Sequence, residues 1–337
     1  MSNRTRPYIK SFFEQAILQQ WYGRLTWLKW FLPLSWLYAK LAARHLNQPH
    51  HSAHVPVWVV GNVVVGGGGK SPLVMWLAKL AGQHSIRCAV LMRGYLGQYQ
   101  DVHAVKSHDD VRLVGDEALC LSKALPDMPI VLAKDRRRGL SFIKNNYPDI
   151  DVILADDGLQ NRHLPKDIVW VCYDAYRGCG NGYCLPVGPL RSPLYCLPAH
   201  AQSIFKYAQD DQCGYDLVIP SLVRLCDDEK RSIDSFQSIT VHALAGIASP
   251  QGFFKILEQA GLSLVSYPMS DHADLSTFDF DRSYTWVVTP KDAVKLQHVK
   301  HQDNIWVSEV ILKPTDDLMA LAQKTMSDIA QNKIVSD

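Results

Sequence analysis

A chain of 337 residues with 47% hydrophobic and 20% charged residues can bury a sizeable core, and its pattern predicts one large α/β domain plus a smaller one. The net charge of +2 argues against wholesale nucleic-acid binding. Eight cysteines without a C-x-x-C pair, the nearest being Cys179, Cys184 and Cys196, have the wrong spacing for zinc and read as thiols of a reducing cytoplasm.

Residues 1–50 hold seven Lys/Arg against one acid, Glu14, a local +6 that leaves −4 for the rest of the chain. No small-residue cleavage site follows an apolar core, so no cleavable signal peptide is expected. The stretch 21–43 carries four of the nine tryptophans but is interrupted by Arg24, Lys29, Pro33 and Lys40, too often to span a bilayer. Trp and Tyr favour the headgroup region and basic residues favour anionic lipid, so an interfacial helix pair broken near Pro33 is expected on the inner leaflet. The alternative is a stripe that packs on the core, and one face on each would satisfy both. His50, His51 and His54 read as linker residues.

Val57 to Val60 is a near-continuous apolar run, the pattern of a strand buried on both faces. It feeds Val64, Val65, Gly66, Gly67, Gly68, Gly69, Lys70 and Ser71, after which Leu73, Trp76, Leu77 and Leu80 recur at helical spacing. Strand, glycine loop and helix together point backbone N–H groups and a helix dipole at one place, which is how phosphate is held. Lys70 is expected at the β/γ-phosphates and Ser71 on Mg²⁺, so these eight residues form the predicted ATP cradle. The G-x-x-x-x-G-K-[ST] pattern has Val64 where its first glycine belongs, and Pro72 sits early enough in the helix to cost no hydrogen bond.

Cys88 to Met92 reads as a second strand leading into Arg93-Gly94-Tyr95, and the stretch to Val114, which has little periodicity, is expected to be an ordered loop. Gly115-Asp116-Glu117 opens a helix over 118–124, where capping alone could account for both carboxylates. Pro129 to Ala133 is a third strand, followed by the basic run Lys134 to Arg138, read either as a solvated helix start or as facing phosphates. Asp151 to Ala155 runs into Asp156-Asp157-Gly158-Leu159-Gln160, the Walker-B pattern of a carboxylate placed for Mg²⁺, although Asp-Gly also favours a plain turn. Ile168 to Tyr173 and Gln202 to Tyr207 are further strands, flanking a Gly/Pro-rich loop at 177–193 long enough to be functional. The pattern weakens from 210 to 237, as in a ribbon or linker. A strand at 239–245, a helix at 251–260, a strand at 285–289, a helix start at 291–295, a short strand at 305–307 and a last helix from about Thr315 follow.

Gly61-Asn62 followed by GGGGKSP, RGY, GDE, DDGLQ, GNGYCLPVGPLR, SDH and TPKDAVK stand in the order and spacing of the tetraacyldisaccharide 4′-kinase family, which the chain resembles over about residues 20–312. The resemblance implies transfer of the γ-phosphoryl group of ATP to the 4′-hydroxyl of an acylated glucosamine disaccharide 1-phosphate, giving lipid IVA in lipid A biosynthesis. It implies a P-loop NTPase-like three-layer αβα core with a smaller C-terminal α/β subdomain. The expected division is a membrane-interfacial region at 1–50, a kinase core at 51–209, a ribbon at 210–238 and the subdomain at 239–337. ATP and Mg²⁺ are the implied cofactors and the lipid substrate and inner-membrane surface the implied partners, at the cytoplasmic face; no nucleic-acid or protein partner is expected.

By the same resemblance Lys70 binds the transferring phosphate, and Asp116 with His272 forms the catalytic pair. Ser71, Asp156, Asp157 and Glu117 are implied around Mg²⁺, and Arg191, Gln160 and Tyr95 around substrate or phosphate. Closure of two domains is expected to bring Asp116 and His272 together. The chain departs from the family at Val64, at Leu96 where glycine is usual, at Asn161 where histidine is common, and at Ser192 and Pro290 where glutamate is frequent. A P-loop kinase of a soluble metabolite and a membrane-bound nucleotide switch are the rival readings.

Overall fold

The computed structural model describes residues 12–46, 52–209, 211–297, 299 and 302–336; His50 and His51, like Arg4, Arg6 and Lys10, lie outside them. Two compact units are formed, one by 12–216 with 314–336, the other by 217–313.

The larger unit begins with α1 (Phe12–Tyr22), a 3₁₀ turn (Trp27–Phe31) and α2 (Leu32–Leu46). Then come β1 (Val57–Asn62), α3 (Lys70–Gln83), β2 (Cys88–Met92), β3 (Val102–Ala104), α4 (Val111–Val114), α5 (Asp116–Ala124), β4 (Ile130–Ala133), α6 (Arg136–Asn146), β5 (Val152–Asp156), β6 (Ile168–Asp174) and β7 (Ala201–Lys206). The strand order is β7-β6-β1-β5-β2-β4-β3, parallel except for β3. Every residue of β1, β2, β4 and β5 is buried. A strand buried at successive residues is covered on both faces, which makes the core three-layered. Register pairs Val60 with Asp156, so the carboxyl ends of β1 and β5 lie side by side.

The stretch before Val114, expected as an ordered loop, contains regular elements as well. It holds β3 and α4, elements of three and four residues, too short to show a period.

The chain passes into the smaller unit within β8 (Gly214–Arg224). There follow β9 (Lys230–Ser232), β10 (Thr240–Ala245), α7 (Pro250–Gln259), β11 (Ser263–Pro268), β12 (Thr285–Val288), α8 (Pro290–Ala293) and β13 (Ile305–Pro314). The strands β11-β10-β12-β13 are parallel, and β8 and β9 form an antiparallel hairpin. Leu244, Leu275, Phe280, Trp286, Val288, Leu296 and Ile305 form this unit's core. The sequence pattern did not mark β11, a largely exposed edge strand, and ended β13 at Val307, seven residues early. The last helix, α9 (Asp316–Ser336), clusters with the larger unit, whereas the sequence pattern grouped it with 239–337.

Candidate active site

The apolar run of β1 ends on Asn62, a fully buried amide. Its Nδ2 donates to the carbonyls of Val64 (2.9 Å) and Gly66 (3.1 Å), tethering the glycine loop to the strand it leaves. Gly69 ends the loop at φ 80°, and the Tyr215 hydroxyl donates to its carbonyl oxygen. A Cβ on Gly69 would occupy the hydroxyl's place, so only glycine fits both the dihedral and the contact. Lys70 is then the first residue of α3.

Val64, standing where the pattern asks for glycine, is 5% exposed and forms a β-bridge with Leu190. Val65 N–H donates to Pro189 O (2.9 Å) and Arg191 N–H to Val63 O (2.7 Å). The loop's first limb is therefore zipped to residues 189–191, and Val64 is a core residue. Gly66 and Gly67 form the exposed crest of the loop.

Three distant motifs meet here. Lys70 Nζ donates to Asn62 Oδ1 (3.2 Å) and lies 3.4 Å from Asp157 Oδ1. Arg191 donates through Nη1 to Asn62 Oδ1 (3.1 Å) and grips Asp157 with both terminal nitrogens, at 2.8 and 3.3 Å. Gln160 Nε2 donates to Asn62 O (2.9 Å). Asp157 holds a left-handed φ of 52°. Burial pushes its carboxyl pKa up, but Lys70 and Arg191 outweigh burial and leave it below the ordinary value. Asp156 is buried at the end of β5. Beneath it lies Arg136, 2% exposed, donating to Ala133 O (2.8 Å) and Asp156 O (3.3 Å). Burial brings that guanidinium down to about 10, with Asp156 acting against the shift.

Asp116 and Glu117 open α5, Asp116 buried and Glu117 half-buried. Gly115 precedes them at φ 83°, where a Cβ would stand 2.7 Å from Tyr95 O, so the RGY and GDE motifs touch through backbone. Tyr95 itself is exposed. Gln98 and Tyr99 N–H groups donate to Arg112 and Leu113 carbonyls, both at 3.1 Å, which laces this loop to α4.

His272 belongs to the smaller unit, so Asp116 and His272 stand in different units. Its N–H donates to Gly246 O (3.2 Å), and Gly246 N–H donates to Asp292 Oδ2 (2.9 Å). Asp292, fully buried, also accepts from Thr289 Oγ1 (2.7 Å) and Lys295 Nζ (3.0 Å). The SDH and TPKDAVK motifs thus share one network, and His272 is held at φ 58°.

The model of the tetraacyldisaccharide-1-P 4′-kinase family matches residues 27–327. The chain belongs to that family. It is 35% identical to the tetraacyldisaccharide 4′-kinase of Pseudomonas fluorescens over 317 residues, covering 90% of this chain and 94% of the relative. It is 36% identical to that of Legionella pneumophila over 297 residues, covering 85% and 88%. The crystal structure of LpxK from Aquifex aeolicus in complex with ATP aligns with a TM-score of 0.73 and 26% identity, covering 90% of this chain and 99% of that one.

Two departures from the kinase family's usual residues have visible settings. Pro290 is the first residue of α8, where proline's missing N–H costs nothing. Leu96 is exposed at φ 63°, a conformation that glycine adopts freely and leucine does not.

The amino-terminal segment of this kinase packs by one face and exposes the other. Trp21 Nε1 donates to Pro186 O (3.0 Å), Ser35 Oγ to Cys184 O (2.6 Å) and Tyr38 Oη to Arg191 O (3.0 Å). On the opposite face Trp30 and Trp36 are 79% and 64% exposed, beside Trp27, Phe31, Leu34, Leu37 and Leu41. The chain turns through the 3₁₀ segment, and Pro33 falls in the first turn of α2 instead of at a break.

Asn62, Arg136 and Tyr38 received no individual role from the sequence. For Asn62 a signal existed, a lone amide closing a buried apolar strand directly before a glycine loop. For Tyr38 there was none, because its partner is a backbone carbonyl 153 residues away.

Proposed function

We infer that this chain transfers the γ-phosphoryl group of ATP to the 4′-hydroxyl of tetraacyldisaccharide 1-phosphate, forming lipid IVA in lipid A biosynthesis. The observation that carries the reading is the convergence of Lys70, Arg191 and Asp157 on Asn62 beside the glycine loop, in a chain of this family.

Phosphoryl transfer passes through a loose transition state, so the protein's work is positioning and neutralising charge. Lys70 and Arg191 are the cations for that work. Asp157 holds both beside the loop, and phosphate oxygens compete with its carboxylate for them. Asp116, at the positive end of α5, accepts the proton of the attacking hydroxyl. The family resemblance gives His272 the part of orienting that carboxylate or sharing its proton. Gln160 and Tyr95 contact substrate.

The oxygen donors Ser71, Asp156, Asp157 and Glu117 suit Mg²⁺, a hard cation that keeps several waters and arrives with phosphates, so it needs no complete protein cage. Among the described residues no three His, Cys, Asp or Glu side chains converge as such a cage. When bound, the metal neutralises charge developing between the β- and γ-phosphates.

No helix among the described residues is long and apolar enough to cross a membrane. The exposed tryptophan face of the 3₁₀ turn and α2, with Lys29 and Lys40, suits the headgroup region of the inner membrane's cytoplasmic face, where a four-chain lipid stays. The test is the purified protein with Mg²⁺, γ-labelled ATP and tetraacyldisaccharide 1-phosphate in mixed micelles, alongside Asp116→Ala. Label in a lipid product, lost in the variant, is the expected result. Release of inorganic phosphate alone would overturn the reading.

A further inference from the structure

We propose that Asp292 is the positioning residue of His272: its buried carboxylate clamps Gly246, and Gly246 in turn fixes the backbone from which the imidazole projects. This role rests on the part given to His272 above and adds the residue that holds it in place.

The three residues leave adjacent parallel strands of the smaller unit. Gly246 directly follows β10, while His272 lies shortly beyond β11 and Asp292 shortly beyond β12. Register pairs Ala245 with Pro268 and Leu244 with Val288, so the three carboxyl ends stand side by side. That is the end of an open parallel sheet where ligand-contacting groups gather.

Gly246 is gripped from both sides. Its N–H donates to Asp292 Oδ2 (2.9 Å), and its carbonyl accepts from the His272 N–H (3.2 Å). A Cβ here would stand 2.8 Å from Asp292 Oδ1 and 3.3 Å from Ser270 O, so the close approach requires glycine. Asp292 is anchored in its turn. Thr289 Oγ1 donates to Oδ2 (2.7 Å), Lys295 Nζ donates to Oδ1 (3.0 Å), and the Asp292 N–H donates to Thr289 Oγ1 (3.2 Å). None of Asp292 is exposed. A buried ion pair adds little net stability over apolar residues of similar size, so stability alone is a weak reason to bury this one.

The clamp ends on a residue that needs it. Ala273 N–H donates to Ser270 O (3.1 Å), closing a turn with His272 at its third position and a φ of 58°. A positive φ there favours glycine or asparagine, and a bulkier residue keeps it only where the surroundings over-determine the backbone. The bond from the His272 N–H to Gly246 supplies that constraint. The backbone sets the direction of the Cα–Cβ bond, so Asp292 acts on the imidazole through Gly246.

The experiment is steady-state turnover of the full chain with Mg²⁺, γ-labelled ATP and tetraacyldisaccharide 1-phosphate in mixed micelles, for clamp variants made in the parent and in His272→Asn. Asp292→Leu with Lys295→Met removes the clamp and leaves neither charge of the pair buried alone. Gly246→Ala strains the clamp with every charge kept, and it carries the test if circular dichroism shows the double variant unfolded. Each should lower kcat on the order of 10²-fold with the KM for ATP little changed. Neither should slow His272→Asn further, because a residue that acts through the imidazole has nothing left to position. A folded clamp variant with the parent's kcat, or the same fold-loss in both backgrounds, overturns the positioning role while the kinase reading stands. His272→Asn turning over as the parent does overturns both the part given to His272 and the role of Asp292.

Discussion

Asn62 is the residue whose loss the geometry makes most telling. Its side chain makes two bonds to loop carbonyls and two to the cations Lys70 and Arg191, while no part of it is exposed. Asn62→Leu, close in volume, removes all four. Neutral bonds contribute about 1 kcal/mol each and bonds to charged groups about 1.5–3. The terms do not add, because Lys70 and Arg191 retain Asp157. A loss of about 3 kcal/mol in transition-state stabilisation is expected, roughly a hundredfold in kcat/KM for ATP. Asn62→Asp separates the roles: it still accepts from both cations but turns a carboxylate toward the Val64 and Gly66 carbonyls. That variant should raise the KM for ATP more than it lowers kcat. The assay is steady-state turnover in mixed micelles at saturating lipid, with circular dichroism to establish folding. A folded Asn62→Leu protein within threefold of the parent's kcat/KM would refute the reasoning.

Leu96→Gly should stabilise the protein: relief of a left-handed leucine is worth about 1–2 kcal/mol and glycine's extra chain entropy costs about 0.5–1, so the thermal midpoint should rise by a degree or more and not fall. Trp30→Ala with Trp36→Ala should shift the protein from vesicles to supernatant in flotation while turnover on a micellar substrate is kept; it is a cleaner test than deleting the segment, whose Tyr38 bonds Arg191 O. Unchanged flotation would place the membrane contact elsewhere. Lys166, buried and lowered to about 8 by desolvation, binds its proton more readily unfolded than folded between about pH 8 and 10.5. Stability should therefore gain from this residue as pH rises through that window, and Lys166→Met should show a flatter dependence in urea unfolding; equal slopes would remove Lys166 as the cause. His272→Asn keeps a residue type that tolerates its φ of 58° but removes the imidazole, and turnover should fall by about 10²–10⁴. Unaltered turnover would exclude His272 from the chemistry.

Strands β1, β2, β4, β5 and β6 were legible because each is a near-continuous apolar run, and burial on both faces leaves no other composition for such a strand. The loop, its lysine and the DDGLQ turn were legible because phosphate chemistry needs particular residue types at adjacent positions. Short β3, edge strand β11 and the long β8 were not, since three residues carry no period and a half-exposed strand carries a weak one. Val64 read as a departure in a nucleotide loop, whereas its bridge to Leu190 makes it core. The family's motifs, and the identities of Lys70, Asp116 and His272 within them, stand in the sequence alone. That one buried amide holds Lys70, Arg191 and the loop together was decided only by tertiary structure. Hydrogen bonds between residues 98 and 129 positions apart depend on where strands end in space, and no local pattern records that.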